Sequence, residues 1–259
     1  MAADHKKTVL ITGASSGIGR EFAHLYAEDK QDLIIVSRSE KELWNLKVEL
    51  QKKHKIHVTV ITGDLSKQGA AQELYKKIKA GKLTIDILIN NAGFGDFGET
   101  VEMEAERVRA MLNLNILTLT ELSILFGCAF KKRRSGGIIN VASTAGFQPL
   151  PYLNAYSASK SYVLSFSEGL AKELEDHGVV VTCLCPGMTT TNFFKNTTLS
   201  PSDIKDMMGA REVALIGKKA FESKKLTVVA GFKNWLRSSA SRFLPRSLVA
   251  KLAKRIMKE

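Results

Sequence analysis

The alternation of short, unbroken apolar segments with longer segments of helical periodicity constrains the fold of this chain more than any other feature. Seven segments rich in valine, isoleucine and leucine recur along it: Thr8–Thr12, Leu33–Val36, His57–Ile61, Asp86–Asn90, Gly137–Val141, Val179–Leu184 and Leu226–Ala230. An unbroken apolar run is typical of a strand buried on both faces of a parallel sheet. The intervening segments have the apolar spacing of helices, as in Glu40–Lys53, Lys67–Ala80 and Val101–Lys131. This order predicts a doubly wound α/β sheet of about seven parallel strands with helices on both faces.

Nothing in the sequence divides the 259 residues into separate units. The first proline is Pro149, and no linker, repeat or low-complexity tract interrupts the alternation. We therefore predict one domain over residues 1–259. We expect no leader and no membrane span, because the chain begins without an apolar segment and contains no run of about 18 apolar residues. Cys128, Cys183 and Cys185 lack metal-ligand spacing, so we expect no metal site, and thiols that stay reduced in the cytoplasm.

The net charge of +12 is concentrated in the C-terminal quarter of the chain. Residues 195–259 contain 15 basic and 5 acidic residues, whereas residues 1–194 contain 23 and 21. Residues 233–259 form a basic amphipathic segment, in which Leu248, Leu252 and Ile256 recur at helical spacing within Ser247–Lys258, with Val249 and Met257 flanking them. Few aromatic residues accompany the charge and no nucleic-acid-binding motif occurs, so we expect no nucleic-acid partner.

Two interpretations of this basic segment stay open. In the first, it is a surface helix that packs its apolar stripe on its own domain or on a second subunit. In the second, it is a helix that lies on an anionic membrane surface or holds an acidic partner. The second interpretation would add peripheral membrane association to a cytoplasmic protein.

A glycine-rich turn follows the first predicted strand. The segment Thr12–Gly19 (TGASSGIG) places Gly13, Gly17 and Gly19 between that strand and a helical segment over Arg20–Asp29. Gly13 allows a sharp turn off the strand. The other two glycines let the backbone approach a pyrophosphate at the helix N-terminus, where unpaired N–H groups attract anions. The turn therefore predicts a nucleotide-binding site.

The end of the second predicted strand bears on which dinucleotide binds. Proteins that prefer NAD usually have a carboxylate there, which accepts hydrogen bonds from the ribose hydroxyls. This chain has Ser37 and Arg38 instead. A guanidinium group at this position can pair with a 2′-phosphate in its forked geometry, so the sequence favours NADP over NAD.

Four motifs in register carry a resemblance to a known family. They are TGASSGIG at Thr12–Gly19, NNAG at Asn90–Gly93, YSASK at Tyr156–Lys160 and PG at Pro186–Gly187. Over about residues 7–194 the chain resembles the short-chain dehydrogenase/reductase family, in its NADP-preferring form. The resemblance implies a single Rossmann-like domain, hydride transfer between NADP(H) and a carbonyl or secondary alcohol, and a homodimer or homotetramer. One departure is Ser16, since some NADP-preferring members have a basic residue at that position.

The resemblance also implies the residues of the site. The catalytic tetrad of the family corresponds to Asn115, Ser143, Tyr156 and Lys160, with Asn113 as the alternative for the first member. The implied cofactor-binding residues are Gly13, Ser15, Ser16, Gly17, Ile18, Gly19, Ser37, Arg38, Asp64, Leu65, Asn91, Ala92, Gly93, Tyr156, Lys160, Pro186, Gly187, Thr189 and Thr191.

The chemistry of three of these residue types agrees with that assignment. Tyr156 and Lys160 are four residues apart, so they share one face of a helix. A phenol with a pKa near 10 is a poor base at neutral pH, and a nearby ammonium together with an oxidised nicotinamide would favour its phenolate form. In the reductive direction Tyr156 would donate its proton to a carbonyl oxygen that Ser143 polarises.

The expected substrate-bordering residues are mostly apolar, which predicts a hydrophobic ketone, aldehyde or acyl chain. They are Phe94, Phe147, Gln148, Leu150, Met188, Phe193 and Phe194, and residues 192–208 are the expected substrate lid. Two alternatives to a carbonyl reductase stay open. One is a cofactor-binding sensor or scaffold without turnover, which the complete tetrad disfavours. The other is a reductase that acts on carrier-linked oxoacyl chains.

Overall fold

The computed structural model describes residues 6–191, 207–241 and 243–257. Its strands are β1 (Thr8–Thr12), β2 (Asp32–Ser37), β3 (Val58–Thr62), β4 (Ile87–Asn90), β5 (Gly136–Val141), β6 (Val179–Cys185), β7 (Thr189–Thr190), β8 (Met208–Gly209) and β9 (Thr227–Val229). Its α-helices are α1 (Gly17–Glu28), α2 (Glu40–His54), α3 (Ala70–Ala80), α4 (Ala105–Leu112), α5 (Leu119–Arg133), α6 (Asn154–Glu175), α7 (Ala210–Glu222), α8 (Phe232–Ala240) and α9 (Arg246–Ile256).

Seven of these strands form one parallel sheet in the order β3–β2–β1–β4–β5–β6–β9. The predicted doubly wound α/β class and its seven strands are therefore confirmed. From β1 the chain first builds outward through β2 and β3, and then returns to build β4, β5 and β6 on the other side. The order reverses between β1 and β4, and a crevice opens at such a point beyond the carboxyl ends of the strands.

The sheet is covered on both faces, which explains the unbroken apolar runs. Val9 and Ile11 of β1 pack in one core with residues of α1, α2 and α7. Leu10, which lies between them, packs in the opposite core with residues of α3, α5 and α6. Successive side chains of a strand point to opposite faces, so a strand covered on both sides needs apolar residues at every position.

The predicted helix over Val101–Lys131 is subdivided in the structure. A 3₁₀ turn lies at Thr100–Glu102, and six residues in π-helical geometry, Asn113–Thr118, join α4 to α5. The continuous helix over Ala105–Arg133 has a mean hydropathy of 1.4 in its most apolar 18-residue window, enough by length and composition alone to cross a membrane. A count of consecutive apolar residues missed this window. Half of the window is buried inside the protein, where α5 packs on α3, β4 and β5.

The start of α1 and one small sheet differ from the prediction for local reasons. Helix α1 begins at Gly17 rather than at Arg20, because the chain enters helical geometry directly after the extended residue Ser16. Strands β7 and β8 pair with each other in a separate two-stranded sheet that was not predicted. Each contains two residues, and a periodicity cannot be read from so short a segment.

Helix α9 lies within the predicted basic segment but turns a different stripe toward the protein. Val249 and Ala253 are its buried residues. Leu248, Leu252 and Ile256, the stripe expected to pack, are exposed. The helix therefore packs on its own domain through Val249, which flanks the expected stripe, whereas packing of the exposed row on a second subunit or on a membrane stays a prediction.

Candidate active site

A cavity of about 580 Å³ lies at the carboxyl ends of the parallel strands. Its wall is built by the residues that follow each strand, from Gly13 after β1 to Pro186 after β6. It spans the point where the strand order reverses between β1 and β4. The topology of the sheet therefore brings the separate motifs of the sequence into one place.

The glycine turn is held by side chains from the two strands at the centre of the sheet. The Thr12 hydroxyl accepts hydrogen bonds from the backbone N–H groups of Asn91 and Ala92, both at 3.0 Å. The Asn91 amide donates in return to the carbonyl oxygens of Thr12 at 3.0 Å and Gly13 at 3.1 Å. The NNAG segment thus fixes the position of the turn before any ligand binds.

Two glycines of the turn lie against other parts of the protein. A Cβ on Gly19 would lie 2.4 Å from both the Asn91 amide nitrogen and the Gly13 carbonyl oxygen. A Cβ on Gly17 would lie 2.9 Å from the Thr191 side chain. These glycines therefore make room for other parts of the protein. Gly17 also lines the cavity, and the expectation that these glycines let the backbone approach a pyrophosphate stays a prediction. Gly13, with φ +68°, makes the sharp turn as expected.

The N-terminus of α1 is equipped to receive an anion. Among the described residues no side chain caps this helix, and its first turn contains no acidic residue. Ser15, Ser16, Gly17 and Ile18 line the cavity at this helix end. The first N–H groups of a helix have no partner within it and attract negative charge, so this end suits a phosphate group.

A cation and a carboxylate lie beyond the ends of β2 and β3. Arg38 is exposed and lines the cavity, and Ser37 beside it is buried. Burial acts to raise the pKa of Asp64, but two hydrogen bonds from Ser66 and the charge of Arg38 outweigh it, so the pKa is lowered. This end of the cavity therefore offers a guanidinium for a phosphate and an ionised carboxylate as a hydrogen-bond acceptor.

Ser143, Tyr156 and Lys160 meet at the other end of the cavity. Ser143 follows β5 in extended conformation and accepts a hydrogen bond from the Ala145 N–H at 3.1 Å. Tyr156 lies in the first turn of α6 and is hydrogen-bonded to Ser143. The Lys160 ammonium is 5.7 Å from the centre of the Tyr156 ring and donates to the Val141 carbonyl oxygen at 2.8 Å. The serine, the phenol and the ammonium thus share one wall.

Burial controls the protonation of both titratable groups. It raises the pKa of Tyr156 to about 12, with the hydrogen bond to Ser143 acting in the opposite direction. It lowers the pKa of Lys160 to about 8, against the effect of the thiols of Cys183 and Cys185. The expectation that the ammonium together with an oxidised nicotinamide favours the phenolate concerns the cofactor-bound protein and stays a prediction; in the protein alone, loss of water outweighs the other influences. At neutral pH Tyr156 carries its proton.

Asn115 lies outside the cavity wall and supports it from behind. It is fully buried in the π-helical segment, and its amide donates to the carbonyl oxygen of Phe94 at 2.9 Å and to the Ser159 hydroxyl at 3.1 Å. Its oxygen accepts a hydrogen bond from the Phe94 N–H at 3.2 Å. A Cβ on Gly93 would lie 3.0 Å from that oxygen and 3.5 Å from the Lys160 nitrogen, so the three residues adjoin.

The alternative residue, Asn113, points elsewhere. Its amide donates to the carbonyl oxygen of Ser66 at 2.7 Å, beyond β3. The π-helical turns between the two asparagines add residues to the helix relative to regular α geometry and so change which side chain points toward the site. The arrangement around Gly93 favours Asn115 as the member of the tetrad.

Most residues proposed from the sequence lie around the same cavity. Gly13, Ser15, Ser16, Gly17, Ile18, Ser37, Arg38, Asp64, Leu65, Asn91, Ala92, Gly93, Ser143, Tyr156, Lys160, Pro186, Gly187, Thr189 and Thr191 line it. Gly19 and Asn115 do not. Of the expected substrate-bordering residues, Phe94, Gln148, Leu150 and Met188 line it. Phe147 packs instead in a core beside Cys183. Phe193, Phe194 and most of the expected lid lie outside the described residues.

Other lining residues were not proposed from the sequence. They are Ser39, Gly63, Phe97, Leu114, Val141, Ala142, Thr144, Ala145, Leu153 and Met257. Phe97 and Leu153 lie close along the chain to the Phe94 and Leu150 already proposed, so an apolar residue in the same loop was the available signal. Met257 follows α9 at the far end of the chain, and no local pattern connects it with the site.

Comparison with known proteins identifies the family. The model of the short chain dehydrogenase family matches residues 7–201. The chain belongs to the short-chain dehydrogenase family. It is accordingly a nucleotide-binding oxidoreductase of the short-chain type.

Individual relatives agree with this assignment. The very-long-chain 3-oxoacyl-CoA reductase of Anas platyrhynchos is 29% identical over 257 residues, which cover 96% of this chain and 80% of that protein. The reductase of the same name from Homo sapiens is 31% identical over 72% of this chain, and the match spans only 60% of the human protein. A solved short-chain dehydrogenase from Sphingobium yanoikuyae in complex with NADPH superimposes with a TM-score of 0.84 at 29% identity, and the match covers 91% of this chain and 93% of that one.

Proposed function

We propose that this protein transfers a hydride between NADP(H) and the carbonyl or secondary alcohol carbon of a hydrophobic substrate, and that it works as a carbonyl reductase. The observation that carries the proposal is the meeting of Ser143, Tyr156 and Lys160 on one wall of the cavity whose other end holds Arg38. An exposed guanidinium and a buried proton donor at opposite ends suit a dinucleotide that extends between them.

The protein's own residues would hold the cofactor in three places. The N-terminus of α1 would hold the pyrophosphate, Arg38 and Asp64 would hold the adenosine end, and Lys160 would hold the ribose next to the nicotinamide. The nicotinamide would supply the hydride.

Tyr156 is the proton donor of the proposed reduction. Burial keeps its hydroxyl protonated at neutral pH, so it can give its proton to the oxygen of a carbonyl group that becomes an alcohol. Ser143, which is hydrogen-bonded to Tyr156, would polarise the same oxygen. Lys160 would place a positive charge behind the phenol while its proton leaves. In the reverse direction the phenolate form would take up the proton of the alcohol.

The apolar wall supports a hydrophobic substrate. Phe94, Phe97, Leu150, Leu153 and Met188 line the cavity. One observation favours a second candidate within this class, an oxoacyl reductase. Several relatives, among them those from Anas platyrhynchos and Homo sapiens, bear the name very-long-chain 3-oxoacyl-CoA reductase. A sensor or scaffold without turnover has less support, because each member of the tetrad lies in or directly behind the cavity wall.

An assay of NADPH oxidation tests the proposal. The purified full chain is mixed with NADPH and a panel of hydrophobic ketones and 3-oxoacyl thioesters, and the absorbance at 340 nm is followed. Tyr156→Phe should lower kcat by a factor of about 10² or more, because proton transfer loses its donor. Tyr75→Phe is the matched control, since Tyr75 packs edge-on against Phe126 on α5, remote from the cavity, and should keep its activity. Full activity of Tyr156→Phe, or no turnover with any compound of either class, would contradict the proposal.

We infer a homodimer or homotetramer from exposed apolar side chains on neighbouring helices. Leu117 in the π-helical segment, Ile124 on α5 and Tyr162 on α6 are exposed, and the Tyr162 hydroxyl is 3.1 Å from that of Thr120. Light scattering of the wild-type chain and of Ile124→Asp tests this inference.

The free thiols Cys183 and Cys185 support a cytoplasmic location.

A further inference from the structure

The C-terminal helices expose an unusual share of large apolar side chains. Among the described residues, sixteen large apolar side chains are exposed, and eight of them lie between residues 232 and 256. Those eight are Phe232, Trp235, Leu236, Phe243, Leu244, Leu248, Leu252 and Ile256. We call these residues, with the basic residues among them, the α8–α9 surface. Apolar patches of this kind in a soluble fold mark places where another surface binds.

The outward face of α8 is aromatic. Phe232, Trp235 and Leu236 are separated by the three- and four-residue steps that place side chains on one face of a helix. The rings of Phe232 and Trp235 stack with their centres 5.7 Å apart. Ser238 is the buried residue of this helix, on the side turned to the protein. Phe232 is 75% exposed and Trp235 is 50% exposed, so no described part of the chain covers this face.

Helix α9 repeats the arrangement with basic residues beside the apolar row. Val249 and Ala253 form the buried row, and Leu248, Leu252 and Ile256 form the exposed row next to it. Lys251 and Arg255 form the following row, one helical turn apart. A helix whose apolar row lies between its buried row and a basic row can insert the apolar row into a lipid boundary while its cations meet the headgroups.

The charge of the α8–α9 surface selects the kind of partner. Residues 232–258 contain eight basic residues and no acidic residue. Arg237, Arg246, Lys251 and Lys254 are exposed. A second copy of this chain would bring the same positive surface against itself, which disfavours self-association through it. Anionic lipid headgroups attract such a cluster, with a few-fold gain in affinity for each cation near the membrane surface.

We propose that the α8–α9 surface docks this protein peripherally on a membrane that contains anionic lipids. The aromatic and aliphatic residues enter the interface between headgroups and acyl chains, and the basic residues bind the headgroups. Trp is well suited to that interface because its indole joins an apolar ring to an N–H group, and Phe and Leu supply apolar surface beside it.

This surface adjoins the catalytic cavity. The Ser241 hydroxyl, just after α8, donates to the carbonyl oxygen of Phe147 at 3.2 Å, in the loop that follows Ser143. Met257, just after α9, lies in the cavity wall. Docking therefore brings the cavity close to the lipid, which suits a hydrophobic carbonyl substrate. This last consequence rests on the proposed function, whereas the docking does not.

Co-sedimentation of the full chain with phosphatidylcholine vesicles, with and without 30 mole per cent phosphatidylglycerol, tests the proposal. The wild type should bind the anionic vesicles, and binding should weaken as salt is added. The double variant Lys251→Gln/Lys254→Gln should bind about 25-fold more weakly, at about fivefold for each cation. The matched control, Lys52→Gln/Lys53→Gln, removes the same charge from the exposed end of α2 and should bind like the wild type.

The apolar contribution has its own pair of variants. Ile256→Ser should weaken binding about tenfold or more, whereas Val48→Ser on α2 should leave it unchanged. Ile256 is 71% exposed and Val48 is 61% exposed, so neither substitution removes a core contact.

Tryptophan fluorescence reports the depth of Trp235. The chain has two tryptophans, so Trp44→Phe leaves Trp235 as the sole emitter. Its emission should shift to shorter wavelength and become protected from acrylamide when anionic vesicles are added. An unchanged spectrum together with unchanged sedimentation overturns the proposal.

Two further outcomes would also overturn the proposal. One is equal binding of the Lys251→Gln/Lys254→Gln variant and its α2 control. The other is a wild-type oligomer, without vesicles, that Ile256→Ser dissociates, because a second copy would then occupy the surface.

Tyr156→Phe separates the two proposals, since it should lose turnover and keep vesicle binding. A chain that reduces ketones but ignores anionic vesicles refutes the docking and leaves the proposed function intact.

Discussion

Replacement of Lys160 by methionine removes a buried ammonium. The free energy of unfolding of the variant should therefore rise less than that of the wild type between pH 7 and pH 10. Lys160 is 4% exposed, and burial lowers its pKa from the ordinary value of 10.5 to about 8. The unfolded chain therefore binds this proton more tightly than the folded one between pH 8 and pH 10.5. The wild-type free energy of unfolding contains a penalty that is complete below pH 8 and disappears as the pH rises to 10.5.

The size of this penalty follows from the shift of the pKa. A change from 10.5 to about 8 corresponds to about 3 kcal/mol, at 1.36 kcal/mol for each pH unit. Methionine has a similar length and no charge, so the variant lacks the penalty at every pH. The variant also loses the hydrogen bond to the Val141 carbonyl oxygen, which costs about 1–3 kcal/mol. That cost is independent of pH, so a comparison between two pH values isolates the penalty.

Urea denaturation of both proteins at pH 7 and pH 10 measures the effect. On going from pH 7 to pH 10 the wild type should gain about 2–3 kcal/mol relative to Lys160→Met. The variant should lose turnover, because the ammonium behind Tyr156 is absent. Lys172→Met, which removes an exposed lysine paired with Glu175 on the same helix, is the control and should show no such difference between the two pH values. An equal stability difference between wild type and Lys160→Met at pH 7 and pH 10 would refute the reasoning.

Three further predictions concern the cavity wall. Arg38→Ala should raise the KM for NADPH about 10- to 100-fold and change the KM for NADH little, because one charged hydrogen-bonding partner of the 2′-phosphate is lost. An equal change in KM for both cofactors would rule out that role of Arg38. Gly19→Ala should lower the free energy of unfolding by about 1–3 kcal/mol, since its Cβ would lie 2.4 Å from the Asn91 amide. Unchanged urea denaturation would show that the turn rearranges to accept the added methyl group without cost. Asn115→Ala should lower kcat more than it raises KM, because Phe94 loses its two hydrogen bonds to the Asn115 side chain. A change in KM alone would speak against a role for Asn115 behind Lys160.

The strands and the glycine turn could be predicted because their signals are local. Val9, Leu10 and Ile11 are consecutive apolar residues, and such a run is stable only where both faces of a strand are covered. Gly13 precedes a helix directly after a strand, and its positive φ is the conformation such a turn needs. The doubly wound class followed from the same alternation, since right-handed crossovers leave few topologies, whereas the strand order came from the structure.

Other features depend on contacts that no local pattern describes. The role of Gly19 is set by the approach of Asn91, 72 positions along the chain. The exposed row of α9 became clear only when Val249 and Ala253 were seen to occupy the side toward the protein. An apolar spacing of four residues defines a stripe on a helix, but two adjacent stripes can each satisfy it, and the packing partner decides between them.

The sequence by itself determined the fold class, the family motifs and the residue types of the site, because these follow from periodicity and from spacing along the chain. Only the tertiary structure decided how the site is charged. The expected effect of Lys160 on Tyr156 considers only the charge of a neighbouring group. Both residues, however, lie where the packed chain excludes water. Loss of hydration is the largest influence on each group, so it keeps the phenol protonated against the hydrogen bond to Ser143 and lowers the pKa of the ammonium. Burial is a property of the whole fold, and for that reason the direction of both shifts had to come from the structure.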